Sequence, residues 1–177
     1  MNYREAITTI TELLNNQVVI CANGLISKEA FTTKDRPENF YMIGSMGMAS
    51  SIGLGVALNK PLRKVIILEG DGNLLMNIGS LPMAGSLQPR NLLHIVLDNE
   101  VYTSTGNQPT ISNVIELEEI AKPARYAYVK KVVVYTLGNN SLSFLLVKIE
   151  DKEEQKKIGR VTHSPEQIKE RFMSAID

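Results

Sequence analysis

The chain has 177 residues, with 19 basic and 19 acidic side chains and a formal net charge of +0 at neutral pH. That length suits one domain, 1–177, with a full core, and the balanced charge offers neither a nucleic-acid footprint nor a basic stripe for a membrane surface. No apolar run reaches the ~18 residues of a membrane span, and the opening Met1-Asn2-Tyr3-Arg4-Glu5 reads as a helix start rather than a secretory signal. The sole cysteine, Cys21, ends an apolar run and reads as core; the expectation is a cytoplasmic protein.

In chain order, Ile7, Ile10, Leu13 and Leu14 have the spacing of an amphipathic helix. Strands follow at Val18–Cys21 and 40–43, with a helix between them over 27–31 that Ser27 is placed to cap. The stretch 47–58 reads as a helix crowded with small residues (Gly47, Ala49, Ser50, Ser51, Gly53, Gly55, Ala57). Interior glycine costs ~1 kcal/mol against alanine, so close packing against another backbone is the expected compensation. Next come a strand at 64–68, a helix over 73–87, a strand at 92–97, a polar loop 98–113 and a helix near 116–123. Strands near 128–135 and 142–149 precede a final helix, Pro165–Ile176, with proline at its start. Lys152 to Lys157 reads as a solvated charge run. Strands alternating with helices predict an α/β fold with a doubly wound, mostly parallel sheet.

The chemistry concentrates after two of these strands. Gly70-Asp71-Gly72-Asn73 follows the apolar run Val65-Ile66-Ile67-Leu68, and 26 residues separate Gly72 from Asn99, which the next apolar run, Leu92 to Leu97, delivers. Strand, glycine turn, helix and strand make one βαβ unit, so Asp71 and Asn99 land at the carboxyl edge of adjacent parallel strands, where open α/β sheets bind ligands. Mg²⁺ takes about six hard oxygens, usually one or two carboxylates with phosphate oxygens and water. Asp71 offers a carboxylate, Asn99 an amide oxygen and Val101 a main-chain carbonyl. Gly70 and Gly72 let backbone approach a diphosphate, and the N–H groups of Gly72 and Asn73 attract it. A lone Gly-Asp-Gly is an ordinary turn signal; Asn99 at the matching strand end and the glycine-rich Gly44-Ser45-Met46-Gly47 make the set look like a thiamine diphosphate site.

These stretches, with Leu97-Asp98-Asn99-Glu100 running into Ser104-Thr105-Gly106-Asn107-Gln108-Pro109-Thr110 and Ile158-Gly159-Arg160 near the end, resemble the diphosphate-binding half of phosphonopyruvate and sulfopyruvate decarboxylases. The resemblance implies that Asp71, Asn99 and the Val101 carbonyl hold Mg²⁺ and that Gly70, Gly72 and Asn73 hold the diphosphate of thiamine diphosphate. Gly44, Ser45 and Met46 would lie against thiamine, with Met46 as the wedge that bends it and the Gly44 carbonyl accepting from its amino group. Asn23, Gly24 and Ser27 would line the diphosphate, and Ser104, Thr105 and Gln108 would reach substrate or cofactor, although a polar loop of this kind is equally well only a turn.

Position 48 is Met and position 77 Asn where the resembling family commonly carries His, and Glu69 has no chemical assignment. His94 reads as a satisfied core histidine and His163 as a loop residue. The family also needs a pyrimidine-binding domain with an activating glutamate, which these residues do not supply. The resemblance therefore implies a hetero-oligomer with a pyrimidine-binding, alpha-type subunit, acting on a small 2-oxo acid, above all sulfopyruvate in coenzyme M biosynthesis. Phosphonopyruvate decarboxylase and other split 2-oxo acid decarboxylases or synthases stay open, as does a non-catalytic cofactor-binding partner.

Overall fold

The computed structural model describes residues 1–132, 140–150 and 158–177. Its strands are β1 (Val18–Cys21), β2 (Asn39–Tyr41), β3 (Val65–Gly70), β4 (Leu92–Asp98), β5 (Val101–Tyr102), β6 (Gln108–Pro109), β7 (Tyr128–Val132) and β8 (Ser143–Lys148). Six of them form one sheet in the order β2-β1-β3-β4-β8-β7, with every neighbouring pair parallel. β3 and β4 are buried along their whole length, which is why they read as continuous apolar runs rather than as alternation.

The helices are α1 (Tyr3–Glu12), α2 (Leu25–Thr33), α3 (Ala49–Asn59), α4 (Asp71–Met76), α5 (Ser80–Leu87), α6 (Leu117–Ala121) and α7 (Pro165–Ile176). α1 and α2 cover one face of the sheet through Ile7, Ile10, Ile26 and Ala30. α3 to α6 cover the other through Leu54, Leu74, Leu81 and Leu117. Asn2 with Glu5, and Ser164 with Gln167, close reciprocal capping boxes at the starts of α1 and α7.

Four local expectations change. Ser27 lies inside α2, whose cap is Gly24 at φ 85°, and its hydroxyl donates to the Cys21 carbonyl at 3.0 Å. The helix expected over 73–87 is two, because Asn77 leaves helical geometry (φ −145°, ψ 52°) and its amide donates to the Gly47 carbonyl at 3.0 Å and the Ser51 hydroxyl at 3.2 Å. The loop 98–113 folds into a small antiparallel hairpin, β5 with β6, with one turn of 3₁₀ helix joining its strands and a second following β6. In α3 the close approach is to a side chain: a Cβ at Gly53 would stand 2.3 Å from Ile67 Cγ1. The tight backbone approach falls instead at Gly85, where a Cβ would meet the Ala124 carbonyl oxygen at 1.5 Å. The charge run at Lys152 to Lys157 and the end of the strand expected over 128–135 lie outside the described residues.

The order of the strands positions the site. From β1 the chain crosses outward to β2, then returns past β1 to β3 and continues to β4 on the far side. β1 and β3 thus flank the point where the winding reverses, and a crevice opens beyond their carboxyl ends.

Candidate cofactor and metal site

That crevice gathers the segments named from sequence. Asn23 and Gly24 enter it from the end of β1, Gly70 to Asn73 from the end of β3, Met46 from the loop before α3, and Val101 and Ser104 from the hairpin region. The Asn73 amide donates to the Asn23 side-chain oxygen at 2.9 Å, tying the two strand ends together across the reversal point. Asn73 Oδ1 also accepts the Gly70 N–H at 3.4 Å, which shapes the turn into α4. Because α4 is only six residues long, its N–H groups act on an anion as individual donors more than through a long macrodipole.

Asp71 is 2% exposed. Its Oδ2 accepts from the Thr110 hydroxyl at 2.5 Å and the Ser112 hydroxyl at 3.0 Å. Burial, with the nearby Asp98 charge, holds its carboxyl above the ordinary aspartate value despite those hydrogen bonds. None of the ion pairs among the described residues gives Asp71 a cationic partner, whereas neighbouring Asp98 has Lys148 at 2.8 Å. A buried carboxylate with one oxygen occupied by hydroxyls and no counter-charge is the environment a divalent cation would relieve.

Asn99 and Val101 lie on the turn out of β4. Glu100 between them has φ 66°, and its N–H donates to Asp98 Oδ1 at 3.1 Å. The Asn99 oxygen accepts the Val101 N–H at 3.3 Å and its amide donates to the Thr103 hydroxyl at 2.7 Å. Glu100 and Tyr102 direct their carbonyls across the hairpin to the N–H groups of Thr110 and Asn107, so alternation turns the Val101 carbonyl away from β6. Among the described residues no three His, Cys, Asp or Glu side chains cluster as a metal site; the set here is one carboxylate, one amide and one carbonyl, which leaves places for phosphate and water oxygens.

The glycines fit a ligand-bearing turn. A Cβ at Gly72 would stand 2.5 Å from Tyr102 Cε1 and 3.3 Å from Met46 Cε. Gly47, at φ 88°, lies so close to α4 that a Cβ would be 3.0 Å from Met76 Cβ. With Asn77 holding the Gly47 carbonyl, the loop that carries Met46 is pinned to α4.

Not every named residue meets there. Asn99 stands beside the crevice rather than on its wall, and Ser27 is turned into the core. Gly44 and Ser45 line a neighbouring apolar hollow with Phe40, Ile43 and Pro165. Thr105 points back to the Tyr102 carbonyl and Gln108. Tyr3, Tyr102, Thr110 and Ser112 carry no site role in the sequence reading; the last two reach Asp71 only because the chain folds back over 39 and 41 residues, a relation no local spacing signals. Glu69 and His94 are wholly buried and bonded to each other at 2.6 Å, with Tyr126 on the other ring nitrogen at 3.2 Å and the Phe144 ring against the imidazole, which assigns both to the core.

Residues 23–127 match the family model for the thiamine pyrophosphate enzyme, C-terminal TPP binding domain, and the chain belongs to that family. Its relatives narrow the class to sulfopyruvate and phosphonopyruvate decarboxylases. It is 37% identical over 180 residues to the sulfopyruvate decarboxylase subunit beta of Methanococcus maripaludis, covering 97% of this chain and 96% of that one. With the protein of the same name from Methanothermobacter thermautotrophicus it is 49% identical over 118 residues, 67% of this chain and 63% of that one. It is 44% identical to the phosphonopyruvate decarboxylase of Streptomyces viridochromogenes over 66% of this chain but only 29% of that longer one. Among solved structures, the thiamine diphosphate-dependent 4-hydroxybenzoylformate decarboxylase of Rhodococcus jostii RHA1 superposes with a TM-score of 0.69 over 87% of this chain and 33% of that one, at 17% identity, a likeness of fold.

Proposed function

We propose that the chain is the diphosphate- and Mg²⁺-binding subunit of a two-chain thiamine diphosphate-dependent decarboxylase acting on sulfopyruvate. The observation that carries this is the buried Asp71 carboxylate, which no basic side chain among the described residues pairs, set beside the Gly72 turn where the winding of the sheet reverses. In this reading Asp71, the Asn99 oxygen and the Val101 carbonyl hold Mg²⁺. The N–H groups of Gly72 and Asn73 take the diphosphate, with Asn23 and Gly24 opposite. Met46 gives the cofactor an apolar surface to bend over, and the Gly44 carbonyl accepts a hydrogen bond from it. Bound thiamine diphosphate supplies the electron sink that lets a 2-oxo acid lose CO₂. The chain's own part is to hold, orient and exclude water. The name "subunit beta" carried by two relatives, and the one third of the solved decarboxylase that this chain spans, support a partner that supplies the pyrimidine-binding face.

Phosphonopyruvate is the second candidate substrate, favoured by the 44% identity to a phosphonopyruvate decarboxylase. The test is CO₂ release by the paired chains, with Mg²⁺ and thiamine diphosphate, from sulfopyruvate, phosphonopyruvate and pyruvate. The expected result is the highest kcat/KM on sulfopyruvate. A preference for phosphonopyruvate reassigns the substrate, and no release from any 2-oxo acid leaves a cofactor-binding partner without catalysis as the function.

A further inference from the structure

Behind Asp71 lies a polar cluster that no expected role of the site uses. Ser112 Oγ stands 3.0 Å from Asp71 Oδ2, 2.8 Å from Asp98 Oδ1 and 2.8 Å from Thr110 Oγ1. Thr110 Oγ1 is itself 2.5 Å from Asp71 Oδ2. Asp98 is 1% exposed; it also accepts the Glu100 N–H at 3.1 Å and the Lys148 ammonium at 2.8 Å, and Lys148 bonds Glu100 at 2.5 Å. With both carboxylates ionised, as a bound cation requires, these four oxygen–oxygen contacts contain only two hydroxyl protons, since each hydroxyl donates once and an ionised carboxylate donates nothing. Thr110 donates to Asp71, and the single Ser112 proton serves either Asp71 or Asp98, one at a time. The remaining contacts then face lone pair to lone pair, which a positive charge on the far side of Asp71 stabilises.

The cluster also joins the two halves of the candidate metal site. Asp71 leaves β3, whereas Asn99 and Val101 sit on the turn after β4, and the direct side-chain link between them runs through Ser112 and Asp98. Lys148, on β8 and outside the matched residues 23–127, clamps that turn from behind by holding Asp98 and Glu100 together.

We infer that Ser112 is a positioning residue for the metal site: with Thr110 it holds Asp71 through Oδ2 so that Oδ1 is presented to the ion, and through Asp98 it sets Asp71 against the turn carrying Asn99 and Val101. The inference rests on the proposed Mg²⁺ role of those residues. The test titrates Mn²⁺, read by its EPR signal, into the full chain combined with its partner chain and thiamine diphosphate. Ser112→Ala and the near-isosteric Thr110→Val are each expected to raise the Mn²⁺ Kd about 10–100-fold, as loss of an outer hydrogen-bond partner does. Ser112→Thr, which keeps the hydroxyl, is expected to stay near the wild-type value. Metal-free thermal unfolding of each variant separates positioning from folding. Unchanged Kd values in Ser112→Ala and Thr110→Val, or losses in step with the metal-free unfolding midpoint, overturn the role of Ser112. A wild-type complex that binds thiamine diphosphate without any divalent ion overturns the metal-site reading itself, and this role with it.

Discussion

Met46 and Asp71 face the same crevice, yet their substitutions separate binding from stability in different ways. Met46 is half-buried, on a loop held by Gly47 against α4 and by Asn77. Truncation to alanine forfeits only part of one side chain's burial, about 1 kcal/mol. It also removes the apolar surface beside Gly72, and a reacting group displaced by ~1 Å can cost ~100-fold in rate. Met46→Ala is therefore expected to lower kcat far more than its urea midpoint shifts; equal losses would make Met46 plain core. Asp71→Ala runs the other way. Burial already disfavours the ionised carboxyl, so the metal-free chain should lose little stability, while calorimetry should show Mg²⁺-dependent thiamine diphosphate binding abolished. Unchanged affinity would refute the ligand assignment.

At the scale of elements, α3 shows that its glycines are not equivalent. A methyl group at Gly53 would drive into Ile67, whereas nothing lies within 4 Å of the same position at Gly55. Gly53→Ala is expected to destabilise by about 1–3 kcal/mol through overpacking. Gly55→Ala should be neutral or stabilise by up to ~1 kcal/mol through helix propensity; chemical denaturation of the pair decides, and equal effects would contradict the packing. The sequence shows that α3 is crowded with small residues but not which face each occupies. β1, β3, β4 and α7 are legible because a run of buried apolar residues or a Ser-Pro cap is a local signal. The break at Asn77 is not, since what pulls that residue out of the helix is the Gly47 carbonyl, 30 residues away. The site divides in the same way. Asp71, Gly72 and Val101 follow from strand ends and spacing, whereas Thr110, Ser112 and Lys148 depend on where a loop and a later strand return.

Across the whole molecule, Asp35 fastens the end of the chain to its beginning. It accepts from Arg171 at 2.9 and 3.2 Å, His163 at 3.1 Å and Tyr41 at 3.1 Å. Burial alone would raise its carboxyl, but these hydrogen bonds outweigh it and hold the value below the ordinary 3.8. A depressed carboxylate contributes its stability above the unfolded value and loses it as pH falls through the lower folded one. Asp35→Asn is thus expected to lower stability slightly near neutrality, by about 1 kcal/mol or less for so exposed a group, read as a lower Tm, with the gap to wild type closing as pH drops below 3.8. A gap that persists in acid would locate the effect elsewhere.

The open side of the crevice bears on assembly. Ile43 is 65% exposed and Met48 43% exposed, on either side of half-buried Met46, so the wall on which thiamine is proposed to bend continues into apolar surface facing outward. A reaction that must exclude water from its centre needs that side covered. The pyrimidine-binding partner is the expected cover, which makes the site one formed between chains. Closed symmetry then favours an assembly in which each chain is present twice or more. The chain by itself is expected to release no CO₂ from sulfopyruvate at any Mg²⁺ concentration. Activity should rise with added partner until saturation, and the mass by light scattering should reach the assembled value over the same range. Ile43→Lys should leave the fold of the isolated chain intact while weakening the assembly. Full turnover by the chain alone would refute the split-enzyme reading, and full assembly by Ile43→Lys would move the covering surface away from Met46.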